Sequence, residues 1–443
     1  MRVSFHTLGC KTNQYDTERM RQELEARGGA TVTELSGAEV CVLNSCTVTN
    51  QADAEARKLI RRMRRENPRL RIIVAGCSAA LRAPQYEAMA GVAGVVRGHD
   101  PVAVAEAVET ALPPLISLRV RGSLERLDRE PVGGRLLLEH EGRTRGWLKI
   151  QDGCDRKCAF CATRLARGPS RSRSQDEIVR EAVRLARRHP ELVLTGVHIG
   201  HYGRDLSSRD SLAGLLRRLV DEVPDVRFRL GSIEATEVDD PLLDLLATES
   251  DRVAPHLHMP LQSGSDAVLR RMRRWHTRQA YRARALEIAG RLSTLGLGAD
   301  IITGYPGETE AEHEETLALV EELPFTYLHV FPFSPRDGTV GADEHRMAPV
   351  PERVAGDRSR NLRTLAREKE RLYRRRRAGG PAEVVVESGG RTALTEDYLR
   401  VAVRTRSEGG ASSTPVLPGL RSGVLIWTDY DLAIDLTGAG PFN

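Results

Sequence analysis

The sequence predicts an α/β protein made of three folded units, and three observations carry that reading. Extended apolar segments alternate with amphipathic ones up to about residue 115. Further strand–helix units follow from residue 147, and short strands broken by Gly, Ser and Pro come after Gly379-Gly380-Pro381. A chain of 443 residues suits two to four domains rather than one core.

In the first unit, strands are expected at residues 3–8, 40–43 and 72–75, and helices at 15–27, 54–66 and 102–111. Strand–helix alternation favours parallel pairing with right-handed crossovers, so residues 1–115 read as an open, doubly wound parallel α/β domain. Pro113-Pro114 and Gly133-Gly134 mark residues 116–145 as a connector. The second unit, residues 146–350, has strand-like runs at 147–150, 192–195, 227–230, 257–261, 299–302 and 327–331, with helices such as 175–188, 212–222 and 278–292 between them. Six such units suggest a partial (β/α)6 barrel, although an open sheet fits the same periodicity. Residues 351–377 read as a charged linker helix, and residues 378–443 as a small all-β barrel with strands at 382–387, 399–403, 424–427 and 432–436.

With 40% apolar and 29% charged residues the chain is an ordinary globular one, which excludes disorder. Charged residues break every apolar run, so no transmembrane helix is expected, and no apolar leader precedes Leu8-Gly9-Cys10. The expected compartment is the cytoplasm. A net charge of +5 says little about partners. Seven cysteines in a reducing compartment point to metal ligands, nucleophiles or core residues rather than disulfides.

Three of those thiols fall within eight residues, in Gln151-Asp152-Gly153-Cys154-Asp155-Arg156-Lys157-Cys158-Ala159-Phe160-Cys161. Three thiolates from one loop can hold three irons of a [4Fe-4S] cluster and leave the fourth iron open. The same spacing also fits one face of a helix, or part of a zinc site that lacks its fourth ligand. Cys10, Cys46 and Cys77 are far apart in sequence, yet each lies just beyond an expected strand. The carboxyl ends of parallel strands share one edge, where open α/β sheets build their sites, so these three can converge as a second triad. Cys41, inside Val40-Cys41-Val42-Leu43, reads as a buried strand residue. His256 and His258 share a strand face and offer a weaker metal alternative.

The Cys154-x-x-x-Cys158-x-x-Cys161 string, with Phe160 before its last cysteine, resembles the radical S-adenosylmethionine signature. Together with Cys10, Cys46, Cys77 and the small C-terminal β unit, the whole chain resembles the methylthiotransferases: a cluster domain, a radical SAM barrel and a TRAM domain. The strings Thr7-Leu8-Gly9-Cys10-Lys11-Thr12-Asn13-Gln14, Asn44-Ser45-Cys46-Thr47-Val48-Thr49-Asn50 and Arg167-Gly168-Pro169-Ser170-Arg171-Ser172-Arg173 look most like the branch acting on threonylcarbamoyladenosine in tRNA. Ala162-Thr163-Arg164-Leu165 departs from that family's usual apolar run with a proline.

The resemblance implies two [4Fe-4S] clusters, one on Cys154, Cys158 and Cys161 and one on Cys10, Cys46 and Cys77. The first would chelate S-adenosylmethionine and cleave it to a 5′-deoxyadenosyl radical that takes hydrogen from C2 of adenine. The second would carry or supply sulfur, which a second S-adenosylmethionine methylates. Phe160, Thr195, Gly196, Glu234 and Gln262 become candidate S-adenosylmethionine contacts. A low-potential electron donor of flavodoxin or ferredoxin type, a sulfur donor and a tRNA anticodon loop are the implied partners, with no membrane. The competing substrates are isopentenyladenosine in tRNA and a ribosomal-protein aspartate. A non-catalytic zinc or RNA-binding protein is the reading from another class.

Residues 353–377 hold eleven Arg or Lys against three Asp or Glu, a local excess the whole-chain total conceals. Arg374, Arg375, Arg376 and Arg377, with Arg61 and Arg62 after Cys46, are therefore candidate phosphate contacts. The C-terminal unit itself is acidic, with five Arg against eight Asp or Glu. The linker helix is thus expected to carry more phosphate affinity than the β unit.

Overall fold

The structure, a computed structural model, describes residues 1–111, 136–208, 210–407, 410–412, 416–428 and 431–436. Most of the expected connector lies outside them.

The N-terminal sheet is parallel. It contains β1 (Arg2–Thr7), β2 (Ala30–Thr31), β3 (Val40–Ser45), β4 (Arg71–Gly76) and β5 (Val92–Val95) in the order β2-β1-β3-β4-β5. Helices α1 (Lys11–Ala26) and α4 (Pro101–Thr110) cover one face, where Met20, Leu24, Val104 and Val108 bury against Val3, Val42 and Ile73. Helices α2 (Asn50–Glu66) and α3 (Cys77–Glu87) cover the other, with Ile60, Met63 and Tyr86 against Leu43 and Val74. The sheet is doubly wound, as expected, and its order reverses between β1 and β3, the switch point where such sheets bind ligands. Helix α1 begins at Lys11, four residues before the expected start. Its first turn, Lys-Thr-Asn-Gln, has no apolar periodicity to betray it.

The central unit places β6 (Arg145–Lys149), β9 (Glu191–Thr195) and β10 (Arg227–Leu230) in one parallel sheet and β11 (His256–His258), β12 (Gly296–Thr303) and β13 (Tyr327–Pro332) in another. Bridges Phe228–Val253 and Ser232–His258 join them into a six-stranded curved wall, so a partial barrel rather than a flat open sheet forms. The hairpin β7 (Gln151–Asp152) and β8 (Arg171–Ser172) sits above β6, with α5 (Thr163–Arg167) between its strands. Helices α6 (Gln175–Ala186), α7 (Leu212–Glu222), α8 (Asp240–Thr248), α9 (Asp266–Arg271), α10 (Arg278–Arg291) and α11 (Glu310–Glu322) follow in order along the outside. Strands β13 and β6 do not pair; α1 packs along β6, while α13 (Glu352–Arg377), which follows α12 (Val340–Met347), packs along β13. The N-terminal domain thus covers one flank of the open barrel and the linker helix the other.

Buried polar contacts fix α1 to that flank. Lys149 donates to Asp16 at 2.7 Å, and Tyr15 donates to Glu181, whose carboxylate also holds the fully buried Arg173 at 3.0 Å. Such partners are costly to remove singly, because the survivor keeps an unpaired charge in the interior.

Strands β14 (Pro381–Val386), β15 (Thr392–Thr395), β16 (Arg400–Ser407), β18 (Gly419–Trp427) and β19 (Leu432–Asp435) close on themselves through the β15–β16 pairing, and β17 (Gly410–Ser412) extends β16. This small barrel sits under the base of the central one. Arg229 donates to the carbonyls of Glu396 and Thr395, Arg227 donates to that of Glu383, and Tyr398 stacks on His256 at 4.2 Å. Among the described residues no helix is long and apolar enough to cross a membrane.

Candidate functional site

The three strand ends meet as expected. Thr7 pairs with Asn44, and Ser45 with Gly76, so Cys46 and Cys77 are the next residues on neighbouring strands and Cys10 caps α1 beside them. Gly9 is in the left-handed region at φ +100°, and a Cβ there would stand 2.7 Å from Cys46 Sγ. Only glycine lets the chain pass that thiol. Asn13 donates to the carbonyls of Leu8 and Ser45 at 2.9 and 3.1 Å, tying the Cys10 turn to the Cys46 turn. Burial pushes Cys77 up to about 12 and raises Cys46 as well, so the metal-free thiols keep their protons and release them on binding metal. Cys41 is buried against Met63 at 3.8 Å, the core residue anticipated.

Cys154, Cys158 and Cys161 lie on the loop after β7, partly exposed. The loop is held from several sides. Cys154 N–H donates to the Gly168 carbonyl at 3.0 Å, Ala159 N–H to Met272 at 3.0 Å, and the Ala159 carbonyl accepts from Gly341 N–H at 2.7 Å. Gly153 is also left-handed, at φ +71°, and a Cβ there would fall 1.8 Å from the Pro169 carbonyl oxygen. The helix-face alternative for these cysteines is thereby excluded, because residues 153–158 adopt no helix. Burial pushes Cys154 up to about 12 and raises Cys158.

Arg167, which the sequence places only within a family-like string and gives no role, ties the N-terminal triad to the strand that leads into the triad loop. Its guanidinium is buried and donates to Cys77 Sγ at 3.3 Å, to Asn13 at 2.6 Å, to Asp16 at 2.8 Å and to Asp152 at 2.9 Å. The neighbouring Gly168 carbonyl receives Cys154 N–H. Arg274 plays the matching part for the loop triad, donating to Cys158 Sγ at 3.6 Å and ion-pairing with Glu234. These cations are fixed N–H donors to sulfur, the kind of contact that orients ligands and tunes iron–sulfur sites.

A single zinc ion at about 2.3 Å per sulfur would draw its thiolates to within about 4 Å of each other. Among the described residues, no group of three ligand atoms within 4.8 Å of one another includes a cysteine. The groups that do approach so closely are His198, His201 and Glu237, and His258, Asp300 and His329. In both, a carboxylate is already shared between imidazoles: Glu237 lies 2.8 Å from His198, and Asp300 lies 3.1 and 3.2 Å from His258 and His329. The His256–His258 pairing read from the strand is instead bridged by the Tyr327 hydroxyl, at 2.8 and 3.1 Å.

Of the candidate cofactor contacts, Thr195, Gly196, Glu234 and Gln262 lie at or just beyond strand ends of the central unit, and Phe160 lies within the triad loop. Thr195 and Gly196 end β9, where Thr12 lies 3.4 Å from the Thr195 hydroxyl and donates to the Gly196 carbonyl at 3.3 Å. Gln262 has φ +69°, unusual for a side chain of its size, and is locked there by β12 through Asp300 and Ile302 at 2.8 and 3.0 Å. Phe160 packs beside Tyr305 and Met272. Glu234, expected as a contact to ribose or carboxylate groups, is ion-paired with Arg274.

The basic runs divide. Arg61 and Arg62 are exposed and line a groove with His6, Lys58 and Arg65. Of the four arginines ending α13, Arg375 and Arg376 are exposed, while Arg374 pairs with Asp431 at 2.8 Å and Arg377 with Asp397 at 2.7 Å. Those two are ties to the C-terminal barrel, and Arg375 and Arg376 are the exposed part of the expected phosphate-contacting run. The acidic composition of that barrel explains the pairing.

Residues 2–98 match the family described as Uncharacterized protein family UPF0004, and residues 148–320 match the Radical SAM superfamily. The chain is 35% identical over 426 residues to the threonylcarbamoyladenosine tRNA methylthiotransferase MtaB of Bacillus subtilis, covering 91% of this chain and 90% of that protein. It is also 35% identical to the Thermotoga maritima protein of the same name, over 87% of this chain and 86% of that one. The tRNA-2-methylthio-N6-dimethylallyladenosine synthase of Staphylococcus aureus is 30% identical over 76% of this chain and 66% of its own length. Among solved structures, the radical S-adenosylmethionine methyltransferase TsrM of Kitasatospora setae, with cobalamin and a [4Fe-4S] cluster bound, shares the fold at a TM-score of 0.54 and 15% identity, covering 75% of this chain and 74% of that one. With the triads, the strand-end turns and these likenesses together, the chain belongs to the radical SAM methylthiotransferase family, in its MtaB branch.

Proposed function

We propose that this protein is a tRNA methylthiotransferase that places a methylthio group on C2 of the adenine of threonylcarbamoyladenosine in an anticodon loop. The observation that supports the reading is the buried Arg167, whose guanidinium reaches Cys77 and Asp152 while the next residue's carbonyl receives Cys154 N–H, so that the two cysteine groups stand on neighbouring parts of one framework. Cys10, Cys46 and Cys77 hold one [4Fe-4S] cluster and Cys154, Cys158 and Cys161 the other. Bound there, such clusters supply the electron that cleaves S-adenosylmethionine and the sulfur that is transferred. The chain's own residues do the positioning. Thr195, Gly196 and Gln262 line the strand ends where S-adenosylmethionine binds, Phe160 packs beside it, and Glu234 acts through Arg274 rather than directly.

The domains are 1–115 for the N-terminal cluster, 116–145 as connector, 146–350 for the radical SAM barrel, 351–377 as linker helix and 378–443 as a TRAM-type domain. Exposed Arg61, Arg62, Arg375 and Arg376 contact tRNA phosphates, and an adenosine splayed from the loop enters the barrel mouth. A flavodoxin- or ferredoxin-like donor supplies electrons, a separate donor restores sulfur, and the enzyme works in the cytoplasm.

The substrate choice rests on the relatives: identity and coverage are higher for the proteins named for threonylcarbamoyladenosine than for the dimethylallyladenosine synthase. Nucleoside mass spectrometry of a deletion strain tests it. Loss of 2-methylthio-threonylcarbamoyladenosine, with the isopentenyl-derived nucleoside unchanged, is expected. The converse pattern assigns the enzyme to the other tRNA substrate, and loss of neither rejects a tRNA role.

A further inference from the structure

Lys11 follows Cys10 directly and turns its side chain into the barrel. Its ammonium lies 5.9 Å from the Trp147 ring on β6 and 5.7 Å from the Tyr398 ring, which caps the barrel base against His256. The residue is deep in the protein yet keeps part of its surface accessible, as do Tyr327, Tyr398 and Asp300 along the same wall. It therefore lines an internal space rather than sitting sealed in packing.

Among the described residues that ammonium has no hydrogen bond or ion pair, although its neighbourhood is rich in charge. Arg145 and Arg229 place positive charge around it, and Glu191 is the carboxylate that acts against them. Glu191 is taken: it pairs with Arg227 at 2.8 Å, with Arg229 at 2.9 Å and with Arg145 at 3.7 Å. The same arginines take further carboxylates, Arg145 pairing with Glu387 at 3.6 Å and Arg227 with Glu383 at 3.8 Å, and Asp300 on the same wall is held by His258 and His329. An interior cation without an anion is expensive. Trp147 and Tyr398 offset part of that cost through their ring faces, and they leave the charge open to a ligand.

We propose that Lys11 is the receptor for a carboxylate carried on the N6 substituent of the substrate base. The inference rests on the reading of threonylcarbamoyladenosine as substrate, whose N6 chain ends in a free carboxylate. C2 and C6 of adenine flank the same ring nitrogen, so a base with C2 held between the triads sends its N6 chain further into the lumen. Lys11, one residue from Cys10, meets it there with a charge-assisted hydrogen bond. A neutral isopentenyl chain would leave the same ammonium unpaired, so the site rejects that substrate by stranding its own charge.

The test uses holoenzyme with both clusters reconstituted and an anticodon stem-loop carrying threonylcarbamoyladenosine as the acid or as its methyl ester. Wild type is expected to favour the acid by at least tenfold in kcat/KM, mainly through KM. In Lys11→Met the acid and ester should converge, and Lys11→Arg should restore part of the preference. Iron per chain is measured alongside, because Lys11 adjoins a proposed ligand. Should Lys11→Met lose iron, the acid-to-ester ratio of wild type alone decides. Equal turnover of acid and ester by wild type, or equal loss of both in Lys11→Met, overturns the carboxylate receptor and leaves the enzyme's function standing. Conversion of neither RNA by wild type overturns the substrate reading instead.

Discussion

Cys154, Cys158 and Cys161 come from one short loop, whereas Cys10, Cys46 and Cys77 come from the ends of three strands whose register must be correct before the thiols meet. The loop triad is a local object, pinned to its surroundings by backbone hydrogen bonds through Ala159 and Cys154. The strand-end triad exists only in the folded sheet. Its burial is uneven, with Cys46 and Cys77 buried and Cys10 exposed, whereas all three loop cysteines are partly exposed. One site tolerates distant change, and the other records every error in the fold beneath it.

Cysteine replacement gives the largest separation between them. Cys158→Ala should abolish reductive cleavage of S-adenosylmethionine, while Cys46→Ala should still form 5′-deoxyadenosine and yield no methylthio product. Iron should fall from about eight to about four per chain in each. Loss of all iron in Cys158→Ala would show that the triads assemble as one unit. Arg167→Met comes next. It leaves Asp152 and Asp16 short of a partner and should cost about 3–5 kcal/mol in a denaturant titration, with N-terminal iron lost before loop iron. A variant of unchanged stability would remove Arg167 as the strut.

Gly9→Ala should cost about 1–3 kcal/mol by forcing a side chain into a left-handed turn against Cys46, and should lower N-terminal cluster occupancy. Its measure is iron content with the thermal midpoint, and loop-cluster iron should be unaffected. Arg61→Glu with Arg62→Glu should weaken tRNA binding several-fold and reduce the salt slope by about 2, with full iron content. The paired change Arg374→Ala is expected to lower stability instead, because that residue is tied to Asp431.

The same contrast explains what was readable in the sequence. Spacing within a loop is written along the chain, so Cys154, Cys158 and Cys161 stand out without any fold. Cys10, Cys46 and Cys77 were legible one step removed, through strands whose apolar runs end just before them. Arg167 and Lys11 were not, because an arginine in a basic string and a lysine in a polar first turn look like surface until sheet and barrel are brought together. The ties of Arg374 and Arg377 were not legible for a related reason: charge density along a helix says nothing of acidic partners such as Asp431 and Asp397 that arrive from another unit. The small β barrel was visible from its turns, but β15, which closes it, is too short and too polar to register as a strand.

The Glu396–Tyr398 turn of that small barrel stoppers the radical enzyme from below, with Arg229 gripping the carbonyls of Thr395 and Glu396 and Arg227 that of Glu383 on β14. A truncation at residue 380, made to ask whether the tail grips RNA, would unseal the reaction chamber and strip buried guanidiniums of their acceptors. The tail is therefore a floor as well as an arm, and swapping it between relatives exchanges part of the chamber's lining.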